Sequence, residues 1–186
     1  MSECVSELPQ VYLNPGEFHL AREPAVLRTI LGSCVGVTFW CKRIGSGALC
    51  HAMLPRFPGD PAAVKPAERW RYVDFCIREL ACRFDRLGAH RAEVEIKLFG
   101  GADVLPVDLA GLSPRATVGQ MNCRRAIEVL QGEGLHIIAS DLGGSWGRAI
   151  RFHTGTGEVL MRRIVKPVSD SHLPPGHLLE AGNHDS

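Results

Sequence analysis

The chain has 186 residues, a formal net charge of +1 and a mean hydropathy near zero. That length suits one domain with a sizeable core, and the balanced charge leaves no electrostatic footprint for a nucleic-acid partner. No stretch reaches the roughly 18 consecutive apolar residues of a membrane helix. The opening segment MSECVSELPQ carries acids and no signal-peptide core, so a cytoplasmic protein without membrane insertion is expected. In that compartment the seven cysteines should be thiols. No Cys-x-x-Cys pair occurs among them, which leaves zinc-ribbon and thioredoxin-type sites without support.

The residues before about Pro15 read as an entry arm, with a short strand at Tyr12-Leu13 and a turn at Asn14-Pro15-Gly16-Glu17. Phe18 to Ala21 alternates weakly, as a short strand would, and Arg22-Glu23-Pro24 interrupts it. Ala25 to Leu31 leads into a small-residue turn, Gly32-Ser33. Val35 to Trp40 is rich in strand formers, and Gly36 within it marks a bulge or the close approach of another backbone. Lys42 to Gly47 is a polar turn, and Ala48 to Leu54 a second strand that Pro55 stops. Pro55 to Pro66 carries four prolines and reads as a surface loop or flap.

Ala67 to Leu87 gives the clearest helix. Trp70, Val73, Ile77, Leu80, Phe84 and Leu87 recur three and four apart, and Gly88 suits a C-terminal cap. Cys76 and Cys82 stand six apart in it, the wrong spacing for a ligand pair on one face, so they read as packing residues. Ala92 to Phe99 alternates as a half-exposed strand ended by Gly100-Gly101. Asp103 to Pro114 is an irregular loop, and Val118 to Gln131 a second helix. His136 to Ala139 is a strand, and Ala149–His153 with Glu158–Val165 forms a hairpin around Thr154-Gly155-Thr156-Gly157. The tail from Lys166 reads as disordered, so the domain is expected to span 1–166 and the tail 167–186. Two strand clusters separated by a long helix suit a mixed α/β (α+β) sandwich better than a doubly wound sheet.

Cys34 and His51 carry the chemistry. Cys34 follows the Gly-Ser turn, and His51 lies late in the next strand. If the two strands pair, a thiol meets an imidazole, a recurrent way to make a nucleophile at neutral pH. The backbone N–H groups of Ser33, Cys34 and Val35 can gather into an oxyanion hole. Thr29, just upstream, can orient the imidazole through its hydroxyl. By spacing alone, both residues fit core positions at least as well.

Several blocks in the same order resolve that choice. LGSCVGV with CHAMLP, the arm YLNPGEFHLAREP, RYVDFCIREL, KLFGGADV, VGQMNCRRAIEVL and DLGGSWGRAIRFHTGTGEVLMR resemble the chemoreceptor glutamine deamidase family, CheD. The resemblance runs over nearly the whole chain except the proline-rich loop and the last twenty or so residues. It implies a β-sandwich flanked by helices, similar to the cysteine hydrolase fold of deamidating toxins. It implies Cys34 as nucleophile, His51 as general base and acid, and Thr29 as third catalytic group. The implied substrate is a glutamine of a methyl-accepting chemotaxis receptor, attacked through a thioester with neither metal nor organic cofactor. A methylesterase activity through the same thioester and docking to a CheC-type phosphatase are further implications. Asn122, Asp141, Arg148 and His153 lie in these blocks and read as residues that line the cleft or hold its loops together, with the structural role favoured for each and His153, near the hairpin turn, a packed or solvated histidine rather than a second base.

Overall fold

The computed structural model describes residues 8–59, 63–103 and 116–164. The two runs flanking the Lys42–Gly47 turn pair as expected. They are β4 (Val35–Cys41) and β5 (Ser46–Ala52), antiparallel, with Gly36 opposite His51 and Val35 opposite Ala52. The earlier strands are β1 (Gln10–Tyr12), β2 (Phe18–Ala21) and β3 (Val26–Leu31). Then follow α1 (Val73–Arg86), β6 (Glu95–Gly100), α2 (Val118–Gly132), β7 (His136–Leu142), β8 (Gly147–His153) and β9 (Val159–Ile164). One sheet has the order β2-β5-β4-β6-β7, the other β1-β3-β8-β9. The architecture is the expected mixed α+β sandwich.

Alternation along β4 and β5 builds two cores back to back. Val35, Val37, Phe39 and Cys41, with Ala48, Cys50 and Ala52, face the helices. There they meet Ile77, Leu80 and Phe84 of α1 and Ala126 and Leu130 of α2. Each large side chain fully buried in this way stabilises the fold by about 1.5–3 kcal/mol. The other face of the same two strands looks into the sandwich, where Leu49 packs with Leu27 of β3 and Phe152 of β8. Gly47 is small because a Cβ there would lie 2.9 Å from the Thr154 side chain. Gly36 is not a bulge, since both registers run through it unbroken, and what approaches it is a side chain rather than another backbone: a Cβ would lie 3.0 Å from Leu31 Cδ1.

The helix expected over Ala67–Leu87 is two pieces. Pro66–Arg71 is a 3-10 turn, Tyr72 is extended (φ −105°, ψ 129°), and only Val73–Arg86 is α-helical. The apolar spacing continues through Tyr72, but its backbone is drawn into a parallel bridge with Leu54, and Val73 N–H donates to the Leu54 carbonyl at 2.8 Å. Trp70 is held by stacking on Phe18, ring centroids 3.5 Å apart. The segment Ala25–Leu31, read only as a lead-in, contains a full six-residue strand between β1 and β8. Both helices pack on the sheet that holds β4 and β5. The outer face of the other sheet carries exposed Arg28, Ile30 and Leu160. The expected tail after residue 166 and most of the Asp103–Pro114 loop lie outside the described residues.

Candidate active site

Thr29, Cys34 and His51 come from three successive strand segments. Inward positions on β3 alternate as Leu27, Thr29 and Leu31, all buried, while Arg28 and Ile30 face out. Thr29 therefore points into the sandwich, where it is 1% exposed. His51 is 2% exposed and lies on the sandwich-facing side of β5, whereas its neighbour Cys50 packs in the helix-side core.

The two meet directly. Thr29 Oγ1 lies 2.7 Å from His51 Nδ1 and donates to the Leu13 carbonyl at 2.8 Å. A hydroxyl has one proton, and a carbonyl can only accept. With that proton given to Leu13, the Thr29 oxygen must accept at Nδ1, so the imidazole proton sits on Nδ1. Nε2 then carries the lone pair, and it is buried without a hydrogen-bond partner among the described residues. Burial holds His51 below its ordinary value of 6.5, opposed by the Leu13 carbonyl and the Glu17 carboxylate. The ring is thus neutral at neutral pH, with its basic nitrogen free.

The backbone of His51 is fixed as firmly. Its N–H donates to the Glu17 carbonyl at 2.9 Å, and its carbonyl accepts from Gly16 N–H at 2.8 Å. The Asn14–Glu17 turn read from the sequence therefore clamps the imidazole-bearing strand from its outer side.

Cys34 stands just before β4, half-buried against Leu31, Phe99 and Ile150 inside the sandwich. Gly36, two residues on, is directly opposite both His51 and Phe99. Alternation puts Cys34 on that same face, diagonal to His51, with no side chain at Gly36 between them. The thiol and Nε2 share a face without a hydrogen bond joining them. Burial raises the Cys34 thiol above its ordinary value, opposed by its own backbone N–H.

The turn that presents Cys34 is held by residues far along the chain. The Cys34 carbonyl accepts from Gly101 N–H at 2.7 Å, and the Gly32 carbonyl from Ala102 N–H at 2.9 Å. Gly100 and Gly101 have φ of +114° and +66°, values that suit glycine. Val35 lies inside β4, in register with Ala52 and Gly100. The N–H groups of Ser33 and Cys34 donate to no backbone carbonyl among the described residues.

Asp141 and Arg148 tie the turn between β7 and β8. Arg148 is 2% exposed, donates to Asp141 Oδ1 at 2.6 Å, and reaches the carbonyls of Trp146 and Gly143. Gly143 N–H in turn donates to the Gly100 carbonyl at 3.0 Å. Asn122 is wholly buried, and its amide donates to the carbonyls of Ser33 and Met53, each at 2.9 Å. Among the described residues no three or more His, Cys, Asp or Glu side chains gather as a metal site requires. No helix among them is long and apolar enough to cross a membrane.

Residues 53–163 match the family described as CheD chemotactic sensory transduction. A protein of Geobacter sulfurreducens named "Probable chemoreceptor glutamine deamidase CheD 2" is 42% identical over 165 residues, covering 89% of this chain and 96% of its own length. The chain belongs to the CheD family. An alignment of that extent within 186 residues necessarily spans Thr29, Cys34 and His51. CheD relatives from Maridesulfovibrio salexigens and Rhodospirillum rubrum, both named probable chemoreceptor glutamine deamidases, are 34% and 35% identical. They cover 89% and 92% of this chain, and 98% and 97% of their own lengths. Among solved structures, the Bacillus licheniformis hypothetical protein YfiH aligns with a TM-score of 0.46 at 12% identity, over 69% of this chain and 51% of that one.

Proposed function

We propose that this CheD protein is a protein-glutamine deamidase that converts glutamine side chains of chemotaxis receptors to glutamates through a thioester on Cys34. The observation that carries the reading is the bonding of His51: Thr29 and Leu13 occupy the Nδ1 side and leave at Nε2 a buried lone pair with no partner among the described residues. A packing histidine has no need of an unpartnered nitrogen, whereas a general base does.

In this mechanism His51 Nε2 takes the Cys34 proton as the sulfur attacks the glutamine amide carbon. The substrate oxygen becomes an oxyanion, held by the backbone N–H groups of Ser33 and Cys34; Val35, expected to join them, lies inside β4 opposite Ala52, where the ladder engages its N–H. His51 returns the proton to the amide nitrogen, the C–N bond breaks, and ammonia leaves a Cys34 thioester. Water gives a proton to His51 and its oxygen to the acyl carbon. The C–S bond breaks, and the thiolate recovers the proton, leaving glutamate. The steps written use no metal or organic cofactor. The resting pair is neutral on both sides, so charge develops only as the sulfur reaches the amide.

The product is an anion where a neutral side chain stood, which alters repulsion within a helical receptor bundle. A glutamyl methyl ester offered in the same place would leave methanol from the same tetrahedral adduct.

Mass spectrometry of a receptor cytoplasmic fragment incubated with the protein tests the reading. Each converted glutamine adds about one mass unit. Cys34→Ala should abolish conversion with the fold intact, and His51→Ala should lower it by about 10²- to 10⁴-fold. Conversion that persists in Cys34→Ala removes the proposed nucleophile. No conversion on any receptor fragment favours docking to a CheC-type phosphatase over catalysis.

A further inference from the structure

We propose that Asn122 is the positioning residue of the oxyanion hole, and that it acts by fixing the peptide between Ser33 and Cys34 so that the Cys34 N–H is presented to the substrate oxygen. The inference rests on the deamidase reading of Cys34.

Asn122 lies on α2, 89 residues from Ser33, and is 0% exposed. Its Nδ2 is 2.9 Å from the Ser33 carbonyl and 2.9 Å from the Met53 carbonyl. Both partners accept only, so the amide must present its NH2 group to them. Ser33 precedes the nucleophile. Met53 follows β5 and stands two residues beyond His51. The last rung of the β4–β5 ladder is Val35 with Ala52. One buried amide thus joins the two chains just past that rung, where the hairpin opens and the reactive groups sit.

The consequence for Cys34 follows from peptide geometry. In a planar trans peptide the C=O and the next N–H point in opposite directions. Drawing the Ser33 carbonyl towards α2 turns the Cys34 N–H away from α2. That N–H has no backbone acceptor among the described residues, although Cys34 and Gly101 would be the next pair in the β4–β6 register. Gly101 N–H completes its half of such a pair, donating to Cys34 at 2.7 Å. The other half is missing because the Gly101 carbonyl is packed against α2, where a Cβ on Gly119 would lie 2.5 Å from it. The Cys34 N–H is therefore a donor released from the sheet at the atom next to the reactive thiol. An oxyanion on a carbon bonded to Sγ lies within reach of it.

Oδ1 of Asn122 supports a role beyond packing. It is buried and accepts no hydrogen bond among the described residues. An unpartnered buried amide oxygen is uncommon, and here the amide is oriented by the two carbonyls that hold its Nδ2.

The test separates the oxyanion from the thiol. Asn122→Ala and Asn122→Ser are compared with the unsubstituted protein in two reactions at one pH. Glutamine deamidation forms an oxyanion. Alkylation of Cys34 by iodoacetamide displaces iodide directly and forms none. The expected result is a fall in kcat of about 30- to 300-fold. KM and the alkylation rate should stay within about threefold in a variant whose melting curve shows it folded. An unchanged kcat in a folded variant overturns the inference, as does an alkylation rate that falls in parallel with kcat. If neither variant folds, the native protein supplies the measurement. A receptor-derived peptide carrying an aldehyde in place of the glutamine amide adds to Cys34 as a hemithioacetal, with the thiol proton passing to oxygen or to His51. Its oxygen should slow hydrogen exchange at the Cys34 amide by at least tenfold, and an unaffected Cys34 amide overturns the inference. Cys34→Ala that still deamidates removes the deamidase reading instead, a result independent of either Asn122 variant.

Discussion

Thr29 Oγ1 and His51 Nδ1 stand 2.7 Å apart inside the sandwich, and the hydroxyl proton is already given to Leu13. The pair therefore settles which imidazole nitrogen is basic. In the proposed mechanism a threonine does what a carboxylate often does beside a catalytic histidine, but without a charge. It orients the ring without stabilising the imidazolium electrostatically, which fits a site whose histidine is held below its ordinary pKa by burial.

Thr29→Val keeps the shape of the side chain and removes the hydroxyl. It leaves the Leu13 carbonyl and the His51 Nδ1–H to find one another or go unpaired. A stability loss of about 1–3 kcal/mol is expected by urea denaturation, with kcat lower by roughly 10- to 100-fold. Thr29→Ser, which restores the hydroxyl, should recover most of both. Equal kcat in the valine and serine variants would remove Thr29 from the site.

Acid should act on activity and stability through the same residue. His51 is held below 6.5 in the folded protein, so the base form is lost only as pH falls below that value. kcat/KM should be flat near neutrality and drop on the acid side, with an apparent pKa under 6.5. Above about 6.5 the unfolded chain also holds the ring neutral, and the residue costs nothing. As pH falls below 6.5 the unfolded state takes up the proton first, so stability declines, and His51→Gln should flatten that decline. The raised Cys34 thiol gives a second readout. Its alkylation rate should climb above the ordinary thiol range of about 8.5, well beyond the pH at which kcat/KM has levelled. An alkylation midpoint near 6 would instead indicate a preformed thiolate–imidazolium pair.

The sandwich and the strand after Cys34 were readable because strand formers and turn residues act locally. Val35 to Trp40 and Ala48 to Leu54 read as strands from their strand-forming residues and the turns around them, close to the observed Val35–Cys41 and Ser46–Ala52, and Cys50 opposite in sense to His51 follows from a period of two. The break at Tyr72 was not readable. The apolar spacing runs straight through it, and the cause is a bridge to Leu54, eighteen positions away in sequence. The strand character of Val26–Leu31 was obscured in the same way, since its neighbours are β1 on one side and β8 at the far end of the chain. Cys34, His51 and Thr29 were singled out from their places around the Gly-Ser turn and the strand after it, but only the family-like blocks favoured a catalytic over a core reading. Asn122 was visible as a member of such a block, yet its work was not, because its partners are backbone carbonyls and carry no side-chain signature.

Arg148 shows how a buried charge supports the site from a distance. Arg148→Met removes the donors to the Gly143 and Trp146 carbonyls and leaves Asp141 with Arg163 alone, at 2.8 Å on the surface. Loss of a buried ionic partner should cost about 3 kcal/mol, or roughly 6–12 °C in Tm for a chain of this size. Activity measured well below the new Tm should fall less than in Thr29→Val, since the Arg148 side chain bonds the β7–β8 turn and makes no hydrogen bond to His51 or Cys34.

Gly100→Ala should act at Cys34 itself. Gly100 has φ +114°, which an L side chain rarely adopts, and a Cβ there would overlap the Cys34 carbonyl oxygen. That carbonyl holds the nucleophile turn to Gly101. The backbone strain alone is of order 1–3 kcal/mol, and its relief requires the turn to move. Deamidation should fall by more than 100-fold, beyond what the loss of Tm explains, and iodoacetamide alkylation of Cys34 should change with it, because the sulfur and its N–H are displaced together. Gly88→Ala provides the contrast. Gly88 also has a positive φ, +82°, but a Cβ there meets nothing within 4 Å and the residue caps the far end of α1. It should cost a comparable backbone strain while leaving kcat within about twofold. Equal losses of activity in the two variants would mean that Gly100 matters only for folding.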